Sequence, residues 1–269
     1  MTASPSSLRN QFKSLHESGT FIIPNPFDVG SAVLLQHLGF LALATTSSGF
    51  AATLGRVDQH VTRDELVTHV HSICDAVDIP VNVDAEGCYA DDPGGISQTI
   101  ALLAEAGAAG ISIEDYDPNS QTILSRETAT ARVAMAADAC RTHGIVLTAR
   151  AEQLLYGNTD LDDVIRRLNA YRSAGADVLY APGVTDLGHI RTLVDAVNAP
   201  INVLAIKGAP SVPELASVGV RRVSTGGNLA WMAYGAMVAA AIELHGPGTS
   251  SYLDAILPTS LRKAAFERP

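Results

Sequence analysis

The sequence predicts an α/β fold, a (β/α)8 barrel of the TIM type, and three observations carry that prediction. Short apolar, β-branched runs alternate eight times with amphipathic stretches, at a spacing of about 25 to 30 residues, the length of one strand-helix unit. Two of those runs, Ile79–Glu86 and Gly110–Asp115, end abruptly in paired acids, as a buried strand does when its carboxyl end opens on a site. A length of 269 residues suits one large α/β barrel domain spanning residues 1–269.

The elements follow in order. Within a polar lead-in, residues 1–19, a helix is expected over Ser7–Ser18. Thr20–Pro24 reads as a strand, and Asp28–Leu38 as a helix capped by Asp28 and stopped by Gly39. Phe40–Thr46 is the second strand, followed by a small-residue loop, Ser47-Ser48-Gly49-Phe50, and by Leu54–His60. A helix begins at Thr62, with Glu65 completing a capping box. The third strand, Ile79–Glu86, leads to a helix over Pro93–Ala106 that ends at Gly107. Ala109–Asp115 is the fourth strand. The loop Tyr116–Ser125 exceeds the usual connection of about 4–6 residues and reads as a lid. A helix then runs to His143. Ile145–Arg150, Asp177–Ala181, Pro200–Leu204 and Arg221–Thr225 are the remaining strands, each followed by a helix: Leu161–Ala174, Leu187–Val197, Val212–Val218, and Gly226 to about His245. The tail, residues 246–269, carries a weakly amphipathic segment, Tyr252–Phe266, suited to packing on a neighbouring subunit.

Composition bounds the function. A formal net charge of −10 argues against a nucleic-acid-binding surface, which needs a basic face. With 47% hydrophobic and 17% charged residues the chain is globular rather than disordered. Cys74, Cys88 and Cys140 form no CxxC spacing, so neither a disulfide framework nor a zinc site is indicated, and a reducing cytoplasm is the expected location. The amino terminus lacks the pattern of a signal peptide, and the apolar stretch Trp231–Ile242, interrupted by Gly235, is too short to span a bilayer, so no membrane role is expected.

In such a barrel the chemistry sits at the carboxyl ends of the strands. Those ends offer Asp84, Glu86, Glu114 and Asp115, Arg150, Asn202, and small polar groups at 46–49 and 224–227. Adjacent strands stand about 4.8 Å apart, so the carboxylates would converge and repel. A hard divalent cation, most simply Mg²⁺ keeping several waters, is the usual compensation; the same acids would also serve as helix N-terminal caps. The Arg150 guanidinium offers a planar fork for a substrate carboxylate or phosphonate, or a partner for Glu114 or Glu152. Amides at Ser48-Gly49 would hold the oxygens of a small acid, or simply form a tight turn. Gly226-Gly227 would cradle an anion or allow close helix-strand packing. The histidines are scattered, with His189 and His245 read as surface residues, and no G-x-S-x-G, G-x-G-x-x-G or P-loop is present.

Taken together, Asn-Pro-Phe-Asp at 25–28, Ala-Thr-Thr-Ser-Ser-Gly at 44–49, Asp58, Val-Asp-Ala-Glu-Gly-Cys-Tyr at 83–89, Ile-Glu-Asp at 113–115, Ala149-Arg150, Pro-Ile-Asn-Val-Leu at 200–204 and Gly-Val-Arg-Arg-Val-Ser-Thr-Gly-Gly at 219–227 resemble the isocitrate lyase/phosphoenolpyruvate mutase family. The likeness runs from about residue 10 to 245. It implies a barrel whose eighth helix is exchanged between subunits of a homo-oligomer, a dimer or tetramer. It also implies a Mg²⁺ site, with Mn²⁺ as a substitute, that binds a 2-oxo acid or its enolate. By position, Asp84 would touch the metal directly, and Asp58, Glu86 and Glu114 would hold it through water. Ser48, Gly49 and Phe27 would bind the oxo-acid end, Arg150 and Asn202 the other polar groups, and Tyr116 would lie on the lid.

Departures from the family pattern narrow the expectation. The lyases' Lys-Lys-Cys-Gly-His has no counterpart in Tyr116–Thr122, and the mutases' Glu-Asp-Lys is here Glu114-Asp115-Tyr116. Cys88 stands where relatives have Gly and reads as a buried thiol. Tyr89, Tyr116 and Tyr180 remain as proton donors. The resulting expectation is a Mg²⁺-dependent lyase cleaving or decarboxylating a small 2-oxo or 2-hydroxy di- or tricarboxylate through an enolate. The alternatives are P–C bond chemistry on a phosphonopyruvate-like substrate and a non-catalytic protein that binds an oxo acid.

Overall fold

The structure, a computed structural model, describes residues 4–267. Its elements in order are α1 (Pro5–Leu15), β1 (Phe21–Ile23), α2 (Val29–His37), β2 (Leu43–Ala44), α3 (Ser47–Thr53), α4 (Arg63–Ala76), β3 (Val81–Asp84), α5 (Gly95–Glu105), β4 (Gly110–Glu114), β5 (Tyr116–Asp117) and β6 (Thr122–Ile123). There follow α6 (Arg126–His143), β7 (Val146–Arg150), a 3-10 turn (Glu152–Leu154), α7 (Leu161–Ser173), β8 (Val178–Tyr180), α8 (Leu187–Ala196), β9 (Ile201–Leu204), α9 (Val212–Ser217), β10 (Arg222–Ser224), α10 (Asn228–His245), a second 3-10 turn (Ser251–Ala255) and α11 (Thr259–Phe266).

Eight strands pair in parallel in the order β1-β10-β9-β8-β7-β4-β3-β2, a nearly closed barrel surrounded by helices. The seam between β1 and β2 is held by Ala44 N donating to the Pro24 carbonyl (3.0 Å) and by Asn25 Nδ2 donating to the Thr45 carbonyl (2.7 Å). Asn25 Oδ1 in turn accepts from the Thr225 and Gly226 amides, both at 2.9 Å, so one side chain ties three strand ends together. Strand alternation sends Val83, Ile111, Ile113, Leu147, Leu179, Val203 and Val223 outward into the core beneath the helices. The opposite residues face the barrel axis.

The bottom of the barrel is plugged from α1. Phe12 is fully buried, with Phe21, Val146 and Val178 in one apolar cluster. A Cβ on Gly110 would come within 2.4 Å of the Phe12 ring, which is why that inward position is glycine. Arg9 anchors α1 by donating to the carbonyls of Ala104, Ala108 and His143.

Both expected helix starts, Asp28 before α2 and the Thr62–Glu65 capping box before α4, are formed. Two expectations are corrected. The small-residue stretch at 47–50 is no loop but the first turn of α3, because Thr46 caps it by accepting from the Gly49 amide (3.2 Å). The lid over 116–125 is no irregular loop. It is the antiparallel β5-β6 hairpin, with Asp117 accepting from Asn119 and Ser120 at its tip. In the tail, α11 packs on α2 of its own chain. Residues 1–3 of the lead-in and 268–269 of the tail lie outside the described residues. No helix among the described residues is long and apolar enough to cross a membrane.

α4 also carries a buried histidine. His69 stacks on Phe50 with centroids 3.7 Å apart, and its Nε2 has no partner. Burial outweighs the attraction of Asp28 and brings its pKa down to about 4. The unfolded chain takes up this proton below about pH 6.5, while the fold refuses it until about pH 4, so stability falls as pH drops across that window. Thermal unfolding at pH 7 and pH 5 is expected to show a smaller acid-induced loss in His69→Phe, by up to about 2 kcal/mol. Equal losses in both proteins would refute this role.

Candidate active site

The inward residues at the carboxyl ends of the strands meet around Arg150. Its Nη1 donates to Asp84 Oδ1 (2.7 Å), Nη2 lies 3.2 Å from Glu114 Oε2, and Nε donates to Glu152 Oε1 (2.7 Å). Register explains the geometry: Glu114 pairs with Arg150 across β4 and β7, and Arg150 with Tyr180 across β7 and β8. The guanidinium carbon also sits 5.3 Å from the Tyr180 ring centroid. Burial alone would weaken the Arg150 charge, but Glu152, Asp84 and Glu114 hold its pKa well above the ordinary value.

A cavity of about 160 Å³ opens beside this node, lined among others by Ser48, Asp58, Asp84, Arg150, Tyr180 and Asn202. Asp84 Oδ2 accepts from the Ser47 amide (3.1 Å), which fixes the carboxylate against the start of α3. Asp58, at the exposed rim, is raised by desolvation and by the charge of Asp84. Glu86 is buried, with its backbone in the left-handed region at φ 51°. Burial and the charges of Asp84 and Asp58 push its carboxyl up to about 8. Glu114 is buried too; desolvation drives it well above the usual carboxylate range despite Arg150, and Gln59 Nε2 donates to its Oε1 (2.7 Å).

Five carboxyls, those of Asp58, Asp84, Glu86, Glu114 and Glu152, therefore gather near one guanidinium, which pairs with three of them. Such a surplus of hard oxygen donors fits a magnesium ion held partly through water. Among the described residues no three His, Cys, Asp or Glu side chains form a ready cage, and Arg150 lies between Asp84 and Glu114. Any cation would enter by sharing those carboxylates with Arg150.

Ser48, Asp58, Asp84, Arg150 and Asn202 of the expected set come together in the cavity. Glu86 faces an adjoining cavity shared with Tyr116, Arg63 and Arg132. The others are displaced for identifiable reasons. Asp115 turns out of the barrel, where it accepts from Tyr171 Oη (2.6 Å), Arg167 Nη1 (3.2 Å) and the Glu152 amide (2.8 Å), so it does not join the acid cluster. Gly49 is a packing position rather than a substrate contact. Its amide is taken by Thr46, and a Cβ there would lie 2.6 Å from Thr46 Cγ2 and 3.0 Å from Phe27 Cβ. Phe27 packs behind Gly49, outside the cavity. Tyr116 stacks on Tyr156 (4.2 Å between centroids) and so joins the hairpin to the loop after β7. Gly226 donates its amide to Asn25, and Gly227 leaves room for Ser48 and Trp231, which accounts for close packing at this pair; both glycines also line the cavity. Cys88 is fully buried in the core.

Sequence reasoning missed Gln59, which holds Glu114; Trp231, whose Nε1 donates to Ser48 Oγ (3.1 Å); and Arg222, which lines the cavity from below. Arg222 was legible from strand parity, since it stands two residues before Ser224, another cavity residue.

Comparison with known proteins bears on this site. The family profile described as phosphoenolpyruvate phosphomutase matches residues 12–245. A crystal structure from Burkholderia cenocepacia J2315, provisionally described as a lyase or mutase, matches with a TM-score of 0.94 and 45% identity, covering 98% of each chain. The 2-methylisocitrate lyase of Escherichia coli (strain K12) is 32% identical over 189 residues, 66% of this chain and 63% of that enzyme. Oxaloacetate decarboxylase 2 of Pseudomonas fluorescens (strain Pf0-1) is 31% identical over 231 residues, 81% of this chain and 78% of that enzyme.

Removing the guanidinium tests the charge balance. Arg150→Met takes the cation from two buried carboxylates, Glu114 and Glu152, and from the half-buried Asp84, and is expected to cost about 3–5 kcal/mol in chemical unfolding. Millimolar Mg²⁺ is expected to recover part of that deficit. A variant as stable as the parent would contradict the node described here.

Proposed function

The chain belongs to the isocitrate lyase/phosphoenolpyruvate mutase superfamily, and on that premise we propose that it is a Mg²⁺-dependent carbon-carbon lyase that cleaves or decarboxylates a small 2-oxo or 2-hydroxy di- or tricarboxylate. The observation that carries the reading is the cavity in which Asp84, Asp58 and Arg150 meet at the carboxyl ends of the strands. The relatives support its coarse form, since 2-methylisocitrate lyase and oxaloacetate decarboxylase both act on small carboxylates.

Asp84 would hold the ion, with Asp58, Glu86 and Glu114 bonding to its waters; bound there, it supplies Lewis-acid stabilisation of the negative charge that develops on a carbonyl oxygen when the neighbouring C–C bond breaks. Arg150, released in part from its carboxylates, anchors a substrate carboxylate through its planar fork. Asn202 and Ser48 orient the remaining oxygens. The Ser48 hydroxyl is itself fixed by Trp231. The β5-β6 hairpin, clasped by the Tyr116–Tyr156 stack, shields the mouth from water.

A proton must return to the carbon left behind, and the three tyrosines differ in what they can do. Tyr89 donates its hydroxyl to the Val61 carbonyl (3.1 Å), and Tyr116 lies outside the cavity. Tyr180 lines the cavity, and burial raises its pKa, so it keeps its proton at neutral pH. Tyr180 is therefore the proposed donor.

The exposed face of α10 supports the exchanged helix. Trp231, Met232, Met237, Val238, Ile242 and Leu244 are all exposed, and Ala230 is its one buried residue. A second copy of this chain is the proposed cover. Light scattering is expected to report a dimer or tetramer for the parent and dissociation for Met237→Glu combined with Ile242→Glu; a monomeric parent would remove this part of the reading.

Steady-state assays on oxaloacetate and on 2-methylisocitrate test the chemistry. EDTA and Asp84→Ala are each expected to abolish turnover, and Tyr180→Phe to lower kcat by about 10²- to 10⁴-fold with little change in KM. Turnover that survives both EDTA and Asp84→Ala would defeat the metal-dependent reading. Phosphorus NMR with phosphonopyruvate covers the rival P–C chemistry: an altered phosphorus signal would favour it.

A further inference from the structure

We propose that Arg222 forms a buried anion subsite on the floor of the barrel cavity, where a carboxylate of the substrate supplies the counter-charge that the chain itself withholds. The inference rests on the reading of the cavity as a carboxylate-cleaving site and adds a second anchor to it.

Barrels of this type are normally filled by layers of branched apolar side chains. Here the lowest layer is apolar, with Phe21, Val146 and Val178 around Phe12. Above it Ile23 and Ala44 are the apolar inward residues, whereas Asn82, Ser112, Thr148, Asn202, Arg222 and Ser224 are polar, and none of these six is more than 7% exposed. A polar layer at that depth is costly unless something polar occupies the space it surrounds.

Arg222 shows the cost most clearly. It is 3% exposed, and its neighbours are neutral: Nε donates to Asn202 Oδ1 (2.9 Å), Nη2 to Thr148 Oγ1 (3.0 Å), and Nη1 lies 3.5 Å from His16 Nε2. His16 cannot compensate the charge. Its Nδ1 is bonded to the Phe12 carbonyl (2.8 Å), and burial together with Arg222 brings its pKa down to about 3. Among the described residues Arg222 makes no ion pair with a carboxylate, whereas Arg150, above it in the same cavity, takes three. Burial lowers the Arg222 pKa only to about 10, so at neutral pH it remains a cation without an anion. A guanidinium carries five N–H groups, and the three contacts leave two unspent.

A second observation concerns the same lining. Asn82 Oδ1, on a residue 3% exposed that lines the cavity, has no hydrogen-bond partner. A cation lacking an anion and an acceptor lacking a donor thus belong to residues that line one cavity. A carboxylate with a hydroxyl or a water beside it satisfies both. Asn202 links floor to mouth: it accepts from Arg222 and donates from Nδ2 to Ser224 Oγ (2.9 Å).

Calorimetric titration of the whole protein with Mg²⁺, using oxalate and malonate as dicarboxylate probes and acetate and pyruvate as monocarboxylate probes, tests the subsite. Arg222→Met is expected to weaken the dicarboxylates by at least about thirty-fold while changing the monocarboxylates little. It is also expected to melt higher than the parent without ligand, because a buried unpaired charge has gone. A structural role predicts the reverse pair of results, a lower melting temperature with binding intact, and either of those overturns the proposal. Should Arg222→Met not fold, the crystal structure of the unaltered protein with Mg²⁺ and malonate decides. A malonate carboxylate within hydrogen-bond distance of Arg222 supports the subsite; water alone there, or a chloride that malonate does not displace, overturns it. A parent that binds neither class of probe defeats the lyase reading and this inference together. Mg²⁺-dependent binding that Arg222→Met leaves unchanged defeats this inference alone.

Discussion

Charge balance at the mouth of the barrel is the constraint on which the rest depends. Parallel register sets Glu114 opposite Arg150, Asp84 reaches the same guanidinium from β3, where its register partner is Ser112, and the 3-10 turn after β7 adds Glu152. Burial first, and then crowding among carboxyls that one guanidinium cannot neutralise, drives some of them toward their protonated forms, Glu86 and Glu114 among them. The arrangement is costly for a resting fold and useful for a site that must attract positive charge. A divalent cation and a carboxylate substrate together relieve it, the one meeting the acids and the other meeting the arginine they give up.

The elements around this node are built to hold it still. Asn25 closes the barrel seam, Thr46 starts α3 so that the Ser47 amide meets Asp84, and Gln59 secures Glu114. Glu86 keeps a left-handed backbone, while its carbonyl accepts from the Glu114 amide (3.0 Å). Beneath, the polar layer of Asn82, Thr148, Asn202 and Arg222 replaces the apolar filling expected of the fold. The molecule thus carries unmatched charge of opposite sign at two depths of one cavity, acidic at the rim and basic at the floor.

Much of this was legible in the chain. Eight β-branched runs, the Asp28 cap and the Thr62–Glu65 capping box fixed the barrel, because local periodicity and capping chemistry agree with the tertiary arrangement there. Asp84, Arg150 and Asn202 could be picked out because a barrel presents its strand ends to the ligand. Asp115 was misread because adjacent residues of a strand face opposite ways, so of the Glu114-Asp115 pair only one can enter the barrel. Helix α3 was missed because Ser and Gly are poor helix formers; packing of Gly49 against Phe27 and Ala230, a contact far apart in sequence, makes the helix. Long-range pairs such as Tyr116 on Tyr156 leave no local signal at all.

The most direct test of the charge-balance account is anomalous diffraction from a crystal grown with Mn²⁺ and oxalate. The account predicts a metal peak beside Asp84, with Arg150 withdrawn from at least one of its three carboxylates and turned to the oxalate. A crystal so prepared that shows no metal at the barrel mouth, with Arg150 still bound to Asp84, Glu114 and Glu152, would contradict it.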